Sequence, residues 1–235
     1  MKTNLFIFVL TFSCFSLSTH AQRGKQNTPS TPNPNTSLIT LNQEVYKSAI
    51  ALGDMNTAIF ASHALIALKQ DTYKDTLAVL YYMTQNPVQS IFLLEPLIKQ
   101  EQSAWRMELM WKSYFAIDDL ANALTWLEKL PLTAENYAMR ATCQYQLQRE
   151  GELNMTLNAF AKTSDELKNS KIAVPGERDP IRASSYMSHI LALSLATKNK
   201  NKEALEVYQN ILSLDPDFIT AQENAEALEE ILSGK

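Results

Sequence analysis

From about residue 39 to the carboxyl terminus, apolar residues recur every three or four positions, in segments of helical length separated by short polar breaks. In the segment Asn201 to Leu214, Ala204, Tyr208 and Ile211 form a stripe with Leu205 and Leu212 beside them, and Pro216 follows as a stop. Leu191, Leu195 and Ala196 give the segment before it an apolar face of its own, and Asn199 to Asn201 separate the two, so the unit is a pair of helices. Similar breaks fall at Leu52 to Asp54, Asn86 and Pro87, Asp118 and Asp119, and Gly151 and Glu152. Anchored at 53, 86, 118, 151 and 199, they are spaced by 33, 32, 33 and 48 residues, which predicts five helix pairs with one enlarged connection.

At common offsets after the breaks stand Ala58, Ser62, Leu65; Ile91, Glu95, Ile98; Ala123, Leu127, Leu130; Thr156, Phe160, Thr163; and Ala204, Tyr208, Ile211. Glu95 and the two threonines interrupt an otherwise apolar series. Gly53 and Gly151 are expected to end their first helices in the left-handed conformation, and Pro87 suits the first turn of a new helix. The enlarged connection carries about 14 extra residues around Asn169 to Arg182, where Pro175, Gly176 and Pro180 predict a loop whose charged members are solvated. Beyond Pro216 the pattern predicts one more amphipathic helix with an acidic outer face, a solvating cap.

This pattern resembles the tetratricopeptide repeat, a family of 34-residue helix-turn-helix units. The last unit carries the resemblance best, with Ala204, Tyr208, Ile211 and Pro216 on the family's small, aromatic, small and proline positions, supported by Gly53, Gly151 and Tyr114. Sel1-like and other helical-hairpin repeats stay open for the central units. The resemblance implies an all-α, right-handed superhelical solenoid of about five hairpins plus a carboxyl-terminal capping helix, occupying residues 38–235 with an insertion loop at about 169–182. First helices would line a concave wall and second helices a convex one. Projected onto this chain, family geometry places the partner-binding candidates Lys47, Leu80, Trp105, Glu108, Lys112, Phe115, Tyr145, Arg149 and His189 on the concave side. Aromatic anchors there would supply burial and the cations would pair with carboxylates of a protein or peptide partner. The family's carboxylate clamp is missing, since Gln43 and Lys47 occupy the positions of its lysine and asparagine pair. Trp111 and Trp126 are expected in the core.

The amino terminus reads as an export signal over residues 1–21, with Lys2, an apolar run from Leu5 to Phe15 and a small-x-small site before Gln22. A retained anchor and lipid attachment at Cys14 are the alternatives, although Thr11 stands where a lipoprotein site has leucine. Residues 22–37, rich in proline, asparagine, serine and threonine, are expected to form a disordered tether. The product would be periplasmic or secreted. Cleavage takes the net charge from −4 to about −5, so nothing favours nucleic acid, and any membrane association would be indirect, through an envelope complex. Cys143 remains as a single thiol without a disulfide partner, expected buried and inert.

Neither His63 nor His189 stands in an H-E-x-x-H pattern, and no G-x-S-x-G or phosphate-binding glycine loop occurs. The chain is therefore expected not to be an enzyme and to need no cofactor or metal. The function expected is a non-catalytic protein-interaction adaptor of the cell envelope. The alternatives are a structural subunit of an outer-membrane or secretion assembly, and a glycan-binding module using Trp105, Phe115, Tyr145 and Tyr186.

Overall fold

A computed structural model describes residues 34–174 and 176–234. The segment expected to be an export signal, its expected cleavage site, Cys14 and residues 22–33 of the expected tether lie outside the described residues. Helix α1 (Pro34–Leu52) takes in the last four residues of the segment read as tether.

The described chain is all-α apart from one short ladder. Helix α1 pairs with α2 (Met55–Ala67), α3 (Tyr73–Met83) with α4 (Pro87–Gln100), α5 (Ala104–Ala116) with α6 (Leu120–Leu127), and α7 (Ala134–Gln146) with α8 (Glu150–Ala161). After a short helix α9 (Asp165–Asn169) and strands β1 (Lys171–Ile172) and β2 (Ile181–Arg182), α10 (Ala183–Thr197) pairs with α11 (Asn201–Leu214), and α12 (Ile219–Ser233) packs on α11. Each pair also meets the next: α2 lies on α3, α4 on α5, α6 on α7, and α10 on α7.

One backbone device sets the register of all five pairs. Gly53, Gln85, Asp118, Gln148 and Asn199 have positive φ values of 71°, 60°, 61°, 56° and 59°. Each turns the chain at the end of a first helix and immediately precedes the N-cap of the second: Asp54, Asn86, Asp119, Arg149 and Lys200. Asp54 and Asp119 cap through their side chains, accepting from the backbone N–H of Thr57 and Asn122. Four residues past each cap stands a buried residue, Ala58, Ser90, Ala123, Leu153 or Ala204.

This register corrects the sequence-based one in two pairs. In α4 the inward positions are Ser90, Leu94, Leu97 and, as expected, Ile98, with Glu95 exposed; in α8 they are Leu153, Leu157 and Phe160, with Thr156 off the stripe. Gly151 lies in the first turn of α8, and the left-handed residue there is Gln148. The interruptions at Glu95 and the two threonines were thus displacements of the frame. From turn to turn (53, 85, 118, 148, 199) the true intervals are 32, 33, 30 and 51 residues.

The largest core cluster extends from Trp111 of α5 to Leu228 of α12, and smaller ones lie around Leu94 and Met110 and around Ala49, Ala58 and Leu80. Trp111 is buried as expected, and Trp126 is partly buried under the Lys129 ammonium, 3.8 Å from its ring.

The insertion is more ordered than a solvated loop. Strands β1 and β2 pair Lys171 with Arg182 and Ile172 with Ile181, and both isoleucines are buried. Glu177 accepts hydrogen bonds from the backbone N–H groups of Ile219 and Thr220 at 3.0 Å, capping α12 from 42 residues away. Asp215, at the end of α11, accepts from Ser185 and Lys171 and lies 3.6 Å from Arg182. Burial works against its charge, but these donors outweigh it and hold the carboxyl below its ordinary range. Three of the insertion's charged residues, Lys171, Glu177 and Arg182, are therefore structural.

Candidate functional site

The first helices are joined one to the next by side chains. Tyr46 of α1 meets Tyr73 of α3 edge to face, with centroids 5.4 Å apart. Asp75 of α3 accepts two bonds from the Arg106 guanidinium of α5, at 2.8 and 2.7 Å. Lys112 of α5 lies 3.4 Å from Glu135 of α7, and the Thr142 and Tyr186 hydroxyls of α7 and α10 are 3.0 Å apart. These contacts run through α1, α3, α5, α7 and α10 in order.

On α5, the spacing of Trp105, Glu108, Lys112 and Phe115 puts all four on one side of the helix. Trp105 is 43% exposed, with the Arg106 guanidinium 5.5 Å from its ring, and Phe115 is half-buried edge-on to Trp111. The Lys112 ammonium donates to Glu108 at 2.6 Å and also faces Glu135. Burial alone would lower its pKa, but the two carboxylates outweigh this and raise it, so Lys112 stays charged. The Glu108, Lys112, Glu135 group spans two helices beside the Trp105 and Phe115 rings.

The other predicted residues divide between surface and interior. Lys47 is exposed on α1 and already paired with Glu44 at 2.8 Å, and Arg149 stands at the N-cap position of α8 without a side-chain cap bond and lies 3.5 Å from Glu152. Tyr145 is half-buried near the end of α7. Leu80, only 2% exposed, belongs to the core with Ala49 and Ala58, and offers no surface to a partner. His189 is likewise an interior residue, 7% exposed, packed against Tyr186, Tyr208 and Phe218, with its Nδ1 3.2 Å from the Tyr208 hydroxyl. Burial pushes its pKa down to about 4, the nearby Glu177 opposing only in part. Both leave the set of contact residues for the same reason: α3 and α10 turn these positions into neighbouring helices.

Cys143 is fully buried and burial pushes its thiol up to about 12, too high for a thiolate nucleophile at neutral pH. His63 is exposed and lies 2.7 Å from the Tyr81 hydroxyl. Among the described residues, no three His, Cys, Asp or Glu side chains converge as metal ligands, and no helix is long and apolar enough to cross a membrane.

The sequence reading missed Arg106, whose bond to Asp75 bridges positions 31 apart, and Gln144, which occupies a helix face otherwise made of core residues. No family model and no curated protein matches this chain.

Proposed function

We propose that this protein is a non-catalytic protein-interaction adaptor of the cell envelope, a tetratricopeptide-like stack of five hairpins closed by α12. In this reading the pairs form a right-handed superhelix, the first helices line its concave side, and a peptide or helical segment of a partner lies along them. The observation that carries the proposal is the continuous series of first-helix contacts with the α5 to α7 group at its centre. There, two aromatic rings with exposed surface stand beside a charged cluster, the mixture that suits anchoring by aromatics with a polar rim. The contact set becomes Trp105, Glu108, Lys112, Phe115 and Tyr145, with Lys47 and Arg149 at the margins. Because Lys47 and Lys112 already have carboxylate partners, apolar burial on Trp105 and Phe115 supplies the affinity, and the charges set orientation.

The sequence pattern of residues 1–21, read as an export signal, supports the envelope location. Partner recovery from an envelope fraction tests the function: Trp105→Ala and Phe115→Ala variants that fold normally should lose the partner that the unaltered chain retains. Undiminished recovery by both would place the contact elsewhere.

A second reading has its own observation. Phe60 of α2 and Val88 and Phe92 of α4 stand exposed on second helices, Phe92 at 77%. Apolar side chains so far from the core favour a structural subunit packed through its outer wall into an outer-membrane or secretion assembly. Loss of co-assembly in a Phe60→Ser, Phe92→Ser variant that keeps α5-dependent capture would establish it.

A further inference from the structure

A cleft lies where the end of α7, the start of α8 and the end of α10 come together. The two flanking helices meet at its rim through Lys198 and Glu150, 3.1 Å apart. The cleft has a volume of about 470 Å³, within the roughly 300–1,000 Å³ typical of small-molecule sites. Leu153 lies in its apolar part and Tyr145 contributes a half-buried ring; amides and hydroxyls from Gln144, Gln148, Ser194 and Thr197 make up most of the remainder.

Gln144 is the decisive residue. It is only 5% exposed, it lines the cleft, and its buried Oε1 accepts no hydrogen bond from any of the described residues. A buried acceptor without a donor is a standing cost to the fold, and such groups are few in native proteins. In this chain the cost is incurred at the wall of a cleft large enough to admit the missing donor.

We infer that this cleft binds a neutral saccharide, a mono- or disaccharide unit, whose entry turns the Gln144 amide so that a hydroxyl donates to its Oε1. Three features select that chemistry. The only charges at the cleft are Glu150 and Lys198, which neutralise each other, so neither a phosphate nor a free cation is favoured. The polar groups are amides and hydroxyls, which donate and accept, as sugar hydroxyls also do. Sugar hydroxyls can also reproduce the hydrogen bonds of the water they displace, which apolar side chains of a peptide cannot. Tyr145 supplies an aromatic surface for the C–H face of a ring. The site lies between helix ends and shares only Tyr145 with the adaptor's contact set, so this inference goes beyond the adaptor reading and stands without it.

The test uses the full chain, fluorescently labelled, on an array of neutral, acidic and basic glycans, with a peptide array beside it. Retention by neutral glycans is expected, confirmed in solution by titrating the strongest of them. Gln144→Met should weaken that binding at least tenfold while raising the melting temperature of the free protein, because an unpaired buried acceptor is replaced by an apolar chain of similar size. Ser194→Ala should weaken binding without unfolding the protein, and Trp105→Ala should leave it unchanged. A blank glycan array, retention by peptides in place of glycans, or saccharide binding that survives Gln144→Met would each overturn the inference.

Discussion

Lowering the pH from 7 to 5 should destabilise this protein through one residue, His189. Its imidazole is enclosed by Tyr186, Tyr208 and Phe218, and burial lowers its pKa from 6.5 to about 4. At pH 7 the ring is neutral in the folded chain and mostly neutral in the unfolded one, so it contributes little pH dependence there. As the pH falls below 6.5 the unfolded chain takes up the proton first, so stability is lost through this window and the loss levels off below about 4. A displacement of this size corresponds to about 3 kcal/mol in full. At pH 5 the unfolded form is almost wholly protonated and the native form little protonated, so about 2 kcal/mol has gone. Urea unfolding at pH 7 and pH 5, followed by tryptophan fluorescence and helical circular dichroism, measures it. In a His189→Gln variant, whose amide stays neutral and can still meet the Tyr208 hydroxyl, this part of the slope should vanish. His63 is common to both proteins and cancels in the comparison. Parallel pH dependence of the two proteins, or a native-state titration of His189 near 6.5, would refute the reasoning.

Two further predictions concern how the helix pairs are fixed. Arg106→Ala and Asp75→Ala should each cost about 2 kcal/mol, since each removes a two-bond charged contact between α3 and α5; a double mutant no worse than either single one shows the coupling, and simple additivity would deny it. Gln85→Gly should raise stability by up to about 1 kcal/mol while Gln85→Val lowers it, because residue 85 turns the chain at φ 60°; thermal melts decide this, and a loss with glycine would mean that the left-handed turn is not where it is placed.

How much of this was legible in the sequence depended on how local the cause was. The helix pairs and the enlarged fourth connection follow from helical spacing and the interval between breaks, and they stand, whereas the grouping of Trp105, Glu108, Lys112 and Phe115 came from the family resemblance. The frame of α4 was misplaced because IFLL offers apolar residues at several consecutive positions, and because Pro87 marks the start of the second helix, one residue beyond the cap. The frame of α8 was misplaced because Gly151 is the usual left-handed residue, whereas Gln148 adopts that conformation here. Leu80 and His189 could not be assigned to the interior from their own helices, since what buries them comes from other elements: Ala49 and Ala58 for one, Tyr208 and Phe218 for the other. The structural use of Glu177 was equally hidden. A carboxylate in a loop reads as solvated until the start of α12, more than 40 residues on, is brought against it.

The central claim is that a partner lies along the first helices, with α5 at the middle of the contact. Site-specific photocrosslinking in the native envelope tests it most directly, with a benzophenone side chain placed at Phe115 of α5 or at Phe92 of α4. The account predicts a discrete adduct from position 115, mapped by mass spectrometry to one segment of one partner, and none from position 92. An adduct from position 92 with none from 115 would contradict it and put the contact on the second helices.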